Sequence, residues 1–194
     1  MDFFEAVTVR QSIRAYRTTG IKHVDLEKIL TAANTAPSAG NLQAYQTVVV
    51  QHAATRSLLA AAAHGQGFLT EAPVVLAFFA DPARSAARYT ARGERLFCIQ
   101  DATIAACHAQ LAATALGLGS CWVGAFDDKR VAQILGAPAH LHPVCLLAIG
   151  YAAERPAYTS RRELTDLVHE ETFTQKSAIM TTGRCDCPAA CSCF

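Results

Sequence analysis

The sequence carries almost no excess charge of either sign: 17 lysines and arginines stand against 16 aspartates and glutamates, a formal charge of +1. Nucleic acid and anionic membranes are therefore not expected partners, and any phosphate the protein handles must be held locally by a few placed cations. A secretion signal is also missing, because Met1-Asp2-Phe3-Phe4-Glu5 has acid where such a signal needs a basic segment. No apolar run is clean enough for a bilayer: the longest, from Leu96 to Leu118, is broken by Gln100, Asp101, His108 and Gln110. These absences point to a cytoplasmic protein. The chain has no internal repeat, and its 194 residues, 52% of them hydrophobic, suffice for one compact domain with a sizeable core.

Two kinds of catalytic signature are lacking as well. The one close glycine pair, Gly117-Leu118-Gly119, follows a helical pattern and precedes a strand, the reverse of a dinucleotide fingerprint. His64, His108, His140 and His142 are scattered, form no persuasive Ser-His-Asp or Cys-His arrangement, and read as structural. Cys98, Cys107, Cys121 and Cys145 lie singly in apolar segments, where a free thiol behaves as a small hydrophobe, so the body of the chain reads as reduced.

What is present is an interleaved order of helix and strand. Asp2 is placed to cap a short helix through Phe3, Phe4, Ala6 and Val7, and Thr8 to Arg17 reads as extended. Asp25 is the expected cap of a second helix, in which Leu26, Ile29, Leu30 and Ala33 follow the i, i+3, i+4, i+7 pattern. Strands are expected at Thr47–Gln51, Pro73–Ala80, Ser120–Gly124 and Pro143–Tyr151, the second and last buried on both faces. Thr55–Ala63 is a short alanine-rich helix. Glu94 to about Leu116 is helical and apolar nearly all round, the mark of a core helix stopped by glycine. Asp127 caps a helix ending at Gly136, and Glu163 to Phe173 is weakly helical. Arg84–Arg95 is basic and aromatic and fits neither period. Without strict strand-helix alternation, the fold class is α+β.

Four constellations carry possible chemistry. In extended backbone Arg10, Ser12 and Arg14 project to one side, and two forked guanidiniums with a hydroxyl suit a phosphate or polar ring; a solvated basic edge is the bland alternative. Ala36-Pro37-Ser38-Ala39-Gly40-Asn41-Leu42-Gln43 lets backbone approach a ligand and adds polar side chains, though a helix stop and turn explains it equally. Gly119-Ser120-Cys121-Trp122-Val123-Gly124-Ala125-Phe126-Asp127 exposes backbone beside a helix start. Arg161-Arg162 alone is surface charge.

Their order is what discriminates. Arg-x-Ser-x-Arg, Ala-Pro-Ser-x-Gly-Asn-x-Gln, Gln-Asp opening a central helix, Gly-x-Gly-Ser-Cys-Trp-x-Gly-x-Phe-Asp, a Pro-Val-x-Leu-Leu-x-Ile-Gly-Tyr strand and a late basic pair together resemble the nitroreductase family over residues 1 to about 173. The resemblance implies a mostly antiparallel central sheet flanked by helices around a long buried one, and a homodimer with FMN at the interface. It places Arg10, Gln11, Ser12 and Arg14 on the phosphate, ribityl and pyrimidine side, and Ser38, Ala39, Asn41 and Gln43 in the partner's contribution. Gly124 and Ala125 fall near flavin N5, Arg161 or Arg162 at the phosphate, and Gln66 toward the ring. Gln11 stands where the family is often basic, so one phosphate contact is neutral here. The implied activity is hydride transfer from NADH or NADPH through flavin N5 to a nitroarene, quinone or enone by ping-pong kinetics. The flavin carries the chemistry, tuned by Arg14 and Gly124, with no catalytic protein nucleophile. A noncatalytic flavin-binding protein is the rival reading.

The domain so implied covers residues 1–173, leaving 174–194 as a flexible tail. Cys185, Cys187, Cys191 and Cys193 in that tail depart from the family. Four thiolates suit a soft metal such as Cu(I) or Zn, and a thiol-rich metal-binding protein acting through its tail is a further rival; disulfides, a redox relay and an unstructured appendage remain open.

Overall fold

A computed structural model describes residues 1–175. Its residues fall into two compact units, Met1–Pro156 and the segment from Ala157 on. In chain order the first holds α1 (Phe3–Val9), α2 (His23–Asn34), β1 (Tyr45–Val50), α3 (Ala53–Ala62), α4 (Phe68–Glu71), β2 (Val74–Ala80), α5 (Pro82–Arg92), α6 (Cys98–Ala115), β3 (Gly119–Val123), α7 (Asp128–Leu135) and β4 (His142–Gly150). The second holds α8 (Leu164–Leu167). Cys185, Cys187, Cys191 and Cys193 lie outside the described residues.

The four strands form one sheet in the order β1-β2-β4-β3, every pairing antiparallel, so the α+β expectation holds. β2 and β4 are the inner strands, which is why their sequences run apolar without alternation. Their side chains still alternate between faces. Val75, Ala77 and Phe79 of β2 join a core with Leu59 of α3, Leu69 of α4 and Val131 of α7. Val74, Leu76 and Phe78 join the opposite core with Leu26 and Ile29 of α2 and the alanines of α6. The sheet is thus sandwiched between two helical layers.

Helix α6 is the long core helix. Ala102, Ala105, Ala106, Ala109 and Ala113 are all fully buried, and their small side chains let the helix lie close to β2, β4 and α2. It is not buried on every side, as its composition suggested: Ile99, Thr103 and Cys107, spaced about one turn apart, form an exposed stripe. Cys107 is accordingly not a core thiol, whereas Cys98, Cys121 and Cys145 are buried and free.

Several boundaries follow their local signals. Asp2 accepts a hydrogen bond from the Glu5 amide, Asp127 accepts one from the Arg130 amide, and Gly136 ends α7 in the left-handed region. Others depart from expectation. Thr8 and Val9 belong to α1, with the Thr8 hydroxyl bonding back to the Phe4 carbonyl at 2.8 Å. Asp25 does not cap α2: the Lys22 carbonyl receives the Asp25 and Leu26 amides, and Asp25 sits in the first turn, ion-paired with Lys28 at 3.7 Å. The unplaced Arg84–Arg95 stretch is α5 followed by a π-helical turn, Gly93–Phe97, with a break at Thr90 (φ 48, ψ −138). Between Glu163 and Phe173 only the four residues of α8 are helical. Among the described residues no helix is long and apolar enough to cross a membrane.

Because Ala109 is fully buried between α6 and the sheet, Ala109→Leu forces the layers apart. The expected loss is about 1–3 kcal/mol in denaturant unfolding; wild-type stability would show that this face is not closely packed.

Candidate active site

The Arg10 segment leaves α1 in extended conformation (φ −60, ψ 119 at Arg10) and lies along the outer edge of β3. Ser12 forms a parallel bridge with Ser120, and the Ile13 amide donates to the Ser120 carbonyl at 2.9 Å. Further on, the Arg17 amide donates to the Tyr151 carbonyl and the Ala153 amide to the Ala15 carbonyl, each at 2.9 Å. Glycine makes room for this path. Gly119 and Gly150 face one another across the β3–β4 ladder. A Cβ on Gly119 would meet Ile13 Cγ1 at 2.7 Å, and one on Gly150 would meet Tyr16 Cδ1 at 2.9 Å and Pro73 Cδ at 2.6 Å. Tyr16 is locked over this rung, its hydroxyl donating to the Ile13 carbonyl at 2.6 Å, and burial holds its phenol well above the ordinary range, keeping it a donor.

This docking seats the first motif along β3. Burial pushes the Cys121 thiol up and the Glu154 charge adds to that rise, while the Arg14 charge, a hydrogen bond with Ser12 and the Arg10 charge act against it. The Ser12–Ser120 bridge thus seats the arm that carries Arg10, Ser12 and Arg14 beside Cys121 of β3. Arg10, Gln11 and Ser12 are half-buried and Arg14 is exposed, its backbone amide held by Glu154 Oε1. Neither arginine is ion-paired with a carboxylate among the described residues.

At the far end of β3, Gly124 and Ala125 are exposed. Gln66 joins them: its Nε2 donates to the Ala125 carbonyl at 3.2 Å and to the Ala63 carbonyl at 3.1 Å. Residues separated widely in sequence thus meet beside the start of α7, whose Asp127 amide is anchored on the Ala62 carbonyl at 2.9 Å.

The Ser38–Gln43 loop is a separate patch, tied to α5 and α6 rather than to β3. A short 3-10 turn spans Ala39–Asn41, and Gly40, Asn41 and Gln43 all take positive φ (56, 58 and 43°). The Ser38 hydroxyl accepts the Gln43 amide at 3.0 Å, and Gln43 Nε2 donates to Asn41 Oδ1 at 2.7 Å. From α5, Arg84 donates to the Leu42 carbonyl and Arg88 to the Gly40 carbonyl. From α6, buried Asp101 accepts the Ala39 and Ala44 amides. A cavity of about 500 Å³ opens here, lined by Ser38, Ala39, Phe97, Gln100, Asp101 and Ile104 among others.

Sequence reasoning gave no role to Arg84, Arg88 or Asp101, although Gln100-Asp101 was among the motifs that carried the resemblance. The available signal for Asp101 was a lone acid inside an otherwise apolar helix, since a buried charge must find partners. In the second unit, Arg161 donates to the Thr159 carbonyl at 3.1 Å and Arg162 to the Asp166 carbonyl at 3.3 Å.

An antiparallel sheet between helical layers, with an arginine-bearing arm on its edge and a small-residue loop held from the core helix, defines an α+β class of protein. The nitroreductase family model matches residues 7–67 and 53–151. A Thermus thermophilus protein named NADH dehydrogenase is 38% identical over 189 residues, covering 84% of this chain and 92% of its own. The Bacillus subtilis FMN reductase [NAD(P)H] is 28% identical, covering 92% of this chain and 77% of its own. The solved structure of an FMN-dependent nitroreductase from Clostridium difficile superposes with a TM-score of 0.76 at 30% identity, covering 88% of this chain and 99% of its own. The chain belongs to the nitroreductase family.

Gly119→Ala should drive Ile13 off β3, because the nearest atoms include the anchored Ile13 Cβ at 3.0 Å. The expected result is about 1–3 kcal/mol of lost stability together with faster hydrogen exchange at the Ile13 amide. Unchanged exchange there would mean that the arm is not seated on this rung.

Proposed function

We propose that the chain is an FMN-dependent oxidoreductase that draws on NADH or NADPH and reduces an electron-poor small molecule, a nitroarene, quinone or enone, by ping-pong turnover. The cofactor and donor are supported by family membership and by relatives named FMN reductase and FMN-dependent nitroreductase. The observation that carries this reading is the seating of the Arg10-Gln11-Ser12-Ile13-Arg14 arm on β3 through the Ser12–Ser120 bridge, with neither guanidinium ion-paired among the described residues.

The donor set fits FMN. Forked guanidiniums and a hydroxyl match a phosphate and a polar ring edge, and the exposed Gly124-Ala125 backbone with Gln66 beside it suits an isoalloxazine. Bound FMN would supply the redox chemistry, accepting hydride at N5 and yielding it to the acceptor. Arg10, Gln11 and Ser12 would hold the phosphate and ribityl side, Arg161 or Arg162 adding charge at the phosphate. Arg14 would stand by the pyrimidine edge, where its fixed positive charge favours electron-rich states, the more so where water is excluded. Ser38, Ala39, Asn41 and Gln43 would come from a second copy of the chain. Donor and acceptor would occupy one place in turn, which makes the kinetics ping-pong.

A homodimer is supported by apolar surface left uncovered on one chain. Phe3, Phe4, Val7 and Val9 of α1 are 63%, 80%, 47% and 49% exposed, and Ile99 on the open stripe of α6 is 44% exposed. Such a patch on a small protein calls for a partner. A cytoplasmic setting suits the free thiols of the described body, Cys98, Cys107, Cys121 and Cys145.

The purified protein should be yellow and should bleach with NADH or NADPH in the absence of oxygen. Colour should return on adding a nitroarene or quinone. A flavin that no nicotinamide reduces would leave a binding protein in place of an enzyme. Arg10→Ala should weaken FMN binding about 10- to 100-fold, the usual cost of one charge-assisted contact. A dissociation constant equal to wild type, measured by flavin fluorescence quenching, would remove Arg10 from the site.

A further inference from the structure

We propose that Asp101 is a positioning residue: its carboxylate, fixed on core helix α6, sets the backbone of the Ser38–Gln43 loop and thereby the reach of that loop toward the flavin. This rests on the reading that the loop contacts FMN.

Asp101 is 2% exposed and is not ion-paired with any cation among the described residues. Its charge is held by backbone amides instead. Oδ1 accepts the Ala39 N–H at 2.9 Å, and Oδ2 accepts the Ala44 N–H at 3.1 Å. One oxygen thus grips each end of the loop. A buried carboxylate is costly without such partners, so these two donors are what allow it to remain in the core.

The loop needs an outside anchor. Gly40, Asn41 and Gln43 lie in the left-handed region, and two of these are not glycine. Such conformations persist only where surrounding structure over-determines them. The Ser38 and Asn41 side chains close the loop on itself through Gln43, but these internal bonds leave its position on the sheet open. Arg84 and Arg88 grip the Leu42 and Gly40 carbonyls from α5, yet both are exposed side chains. Among the described residues Asp101 supplies the hydrogen bonds given from the loop ends to α6, where Ala44 also packs on Cys98 and Ala102.

The chemistry requires an acid. Both partners are donors, and only a carboxylate presents an acceptor on each arm. Asparagine would keep the shape but turn an NH₂ group against one of the two N–H groups. The residue never needs to touch the reacting atoms.

The test is Asp101→Asn, read in two ways. Amide hydrogen exchange on flavin-free protein should rise at least about tenfold at Ala39 and Ala44, while Ala105 and Ala109 within α6 keep wild-type protection; a general loss of stability would instead speed all four. FMN titration by fluorescence quenching should show a dissociation constant raised by about tenfold or more. Unchanged exchange at Ala39 and Ala44, or an unchanged dissociation constant, overturns the proposal. If the variant does not fold, Ala39→Pro serves. Ser38 before it is extended (φ −140, ψ 156) and Ala39 opens the 3-10 turn, so proline fits and removes the N–H given to Oδ1. On flavin-free protein, exchange at the Asn41, Leu42 and Gln43 amides should rise with Ala44 still protected, a readout that the flavin contact of Ala39 itself cannot move; unaltered exchange at those amides overturns the proposal. Wild-type protein that takes up no FMN while both amides stay protected would overturn the flavin reading and with it the proposed reach, a result that the exchange data separate from failure of the clamp.

Discussion

The close seating of α6 on the sheet is the constraint from which the rest of the molecule follows. Its inner face is alanine at 102, 105, 106, 109 and 113, so backbone rather than side-chain bulk meets β2, β4 and α2. A helix held that closely has little freedom to rotate or slide, because a packed interior does not deform by small degrees. It is a rigid post in the middle of the fold. Anything bonded to it inherits its position, which explains how a loop with three left-handed residues is kept in one shape.

The same helix divides the surface into working regions. Its N-terminal turn faces the loop and the adjoining cavity, and its exposed stripe at Ile99, Thr103 and Cys107 is open on the single chain. The arginine arm lies elsewhere, on the outer edge of β3. One chain therefore carries the two groups of residues proposed to meet the flavin on different supports, an arrangement that suits a site completed by a second copy. The exposed phenylalanines of α1 give that second copy a physical reason to associate.

Much of this was legible in the sequence, and the parts that were not share a cause. β2 could be read because an inner strand must be apolar throughout, and α7 because Asp127 and Gly136 mark both its ends by local chemistry. The Arg10, Ser38 and Gly124 motifs could be found as strings. Arg84–Arg95 could not be placed, since the break at Thr90 and the π-helical turn after it disrupt the 3.6-residue period that identifies a helix. Asp25 misled because the Lys22 carbonyl had already started α2. The part played by Asp101 was hidden for a different reason: its partners are 62 and 57 residues away, and no local pattern records a contact of that span. The meeting of Gln66 with Ala125, 59 residues apart, is of the same kind.

The bare rung formed by Gly119 and Gly150 has a consequence for how such a protein can change over time. Ile13 and Tyr16 fill the space that side chains would take there, so the arm is fitted to the sheet with no slack. Drift at Gly119 would displace Ile13 of the arm, and drift at Gly150 would press on Pro73 and Tyr16 together. The wall by Phe97 and the kinked α5 is as tightly fitted at Gly93, where a Cβ would meet the Ser85 carbonyl oxygen at 2.5 Å, but it turns Arg84, Arg88 and Arg92 outward. On the reading proposed above, variation is tolerated best at those outward side chains, and specificity would shift there while the seat of the arm stayed ancestral.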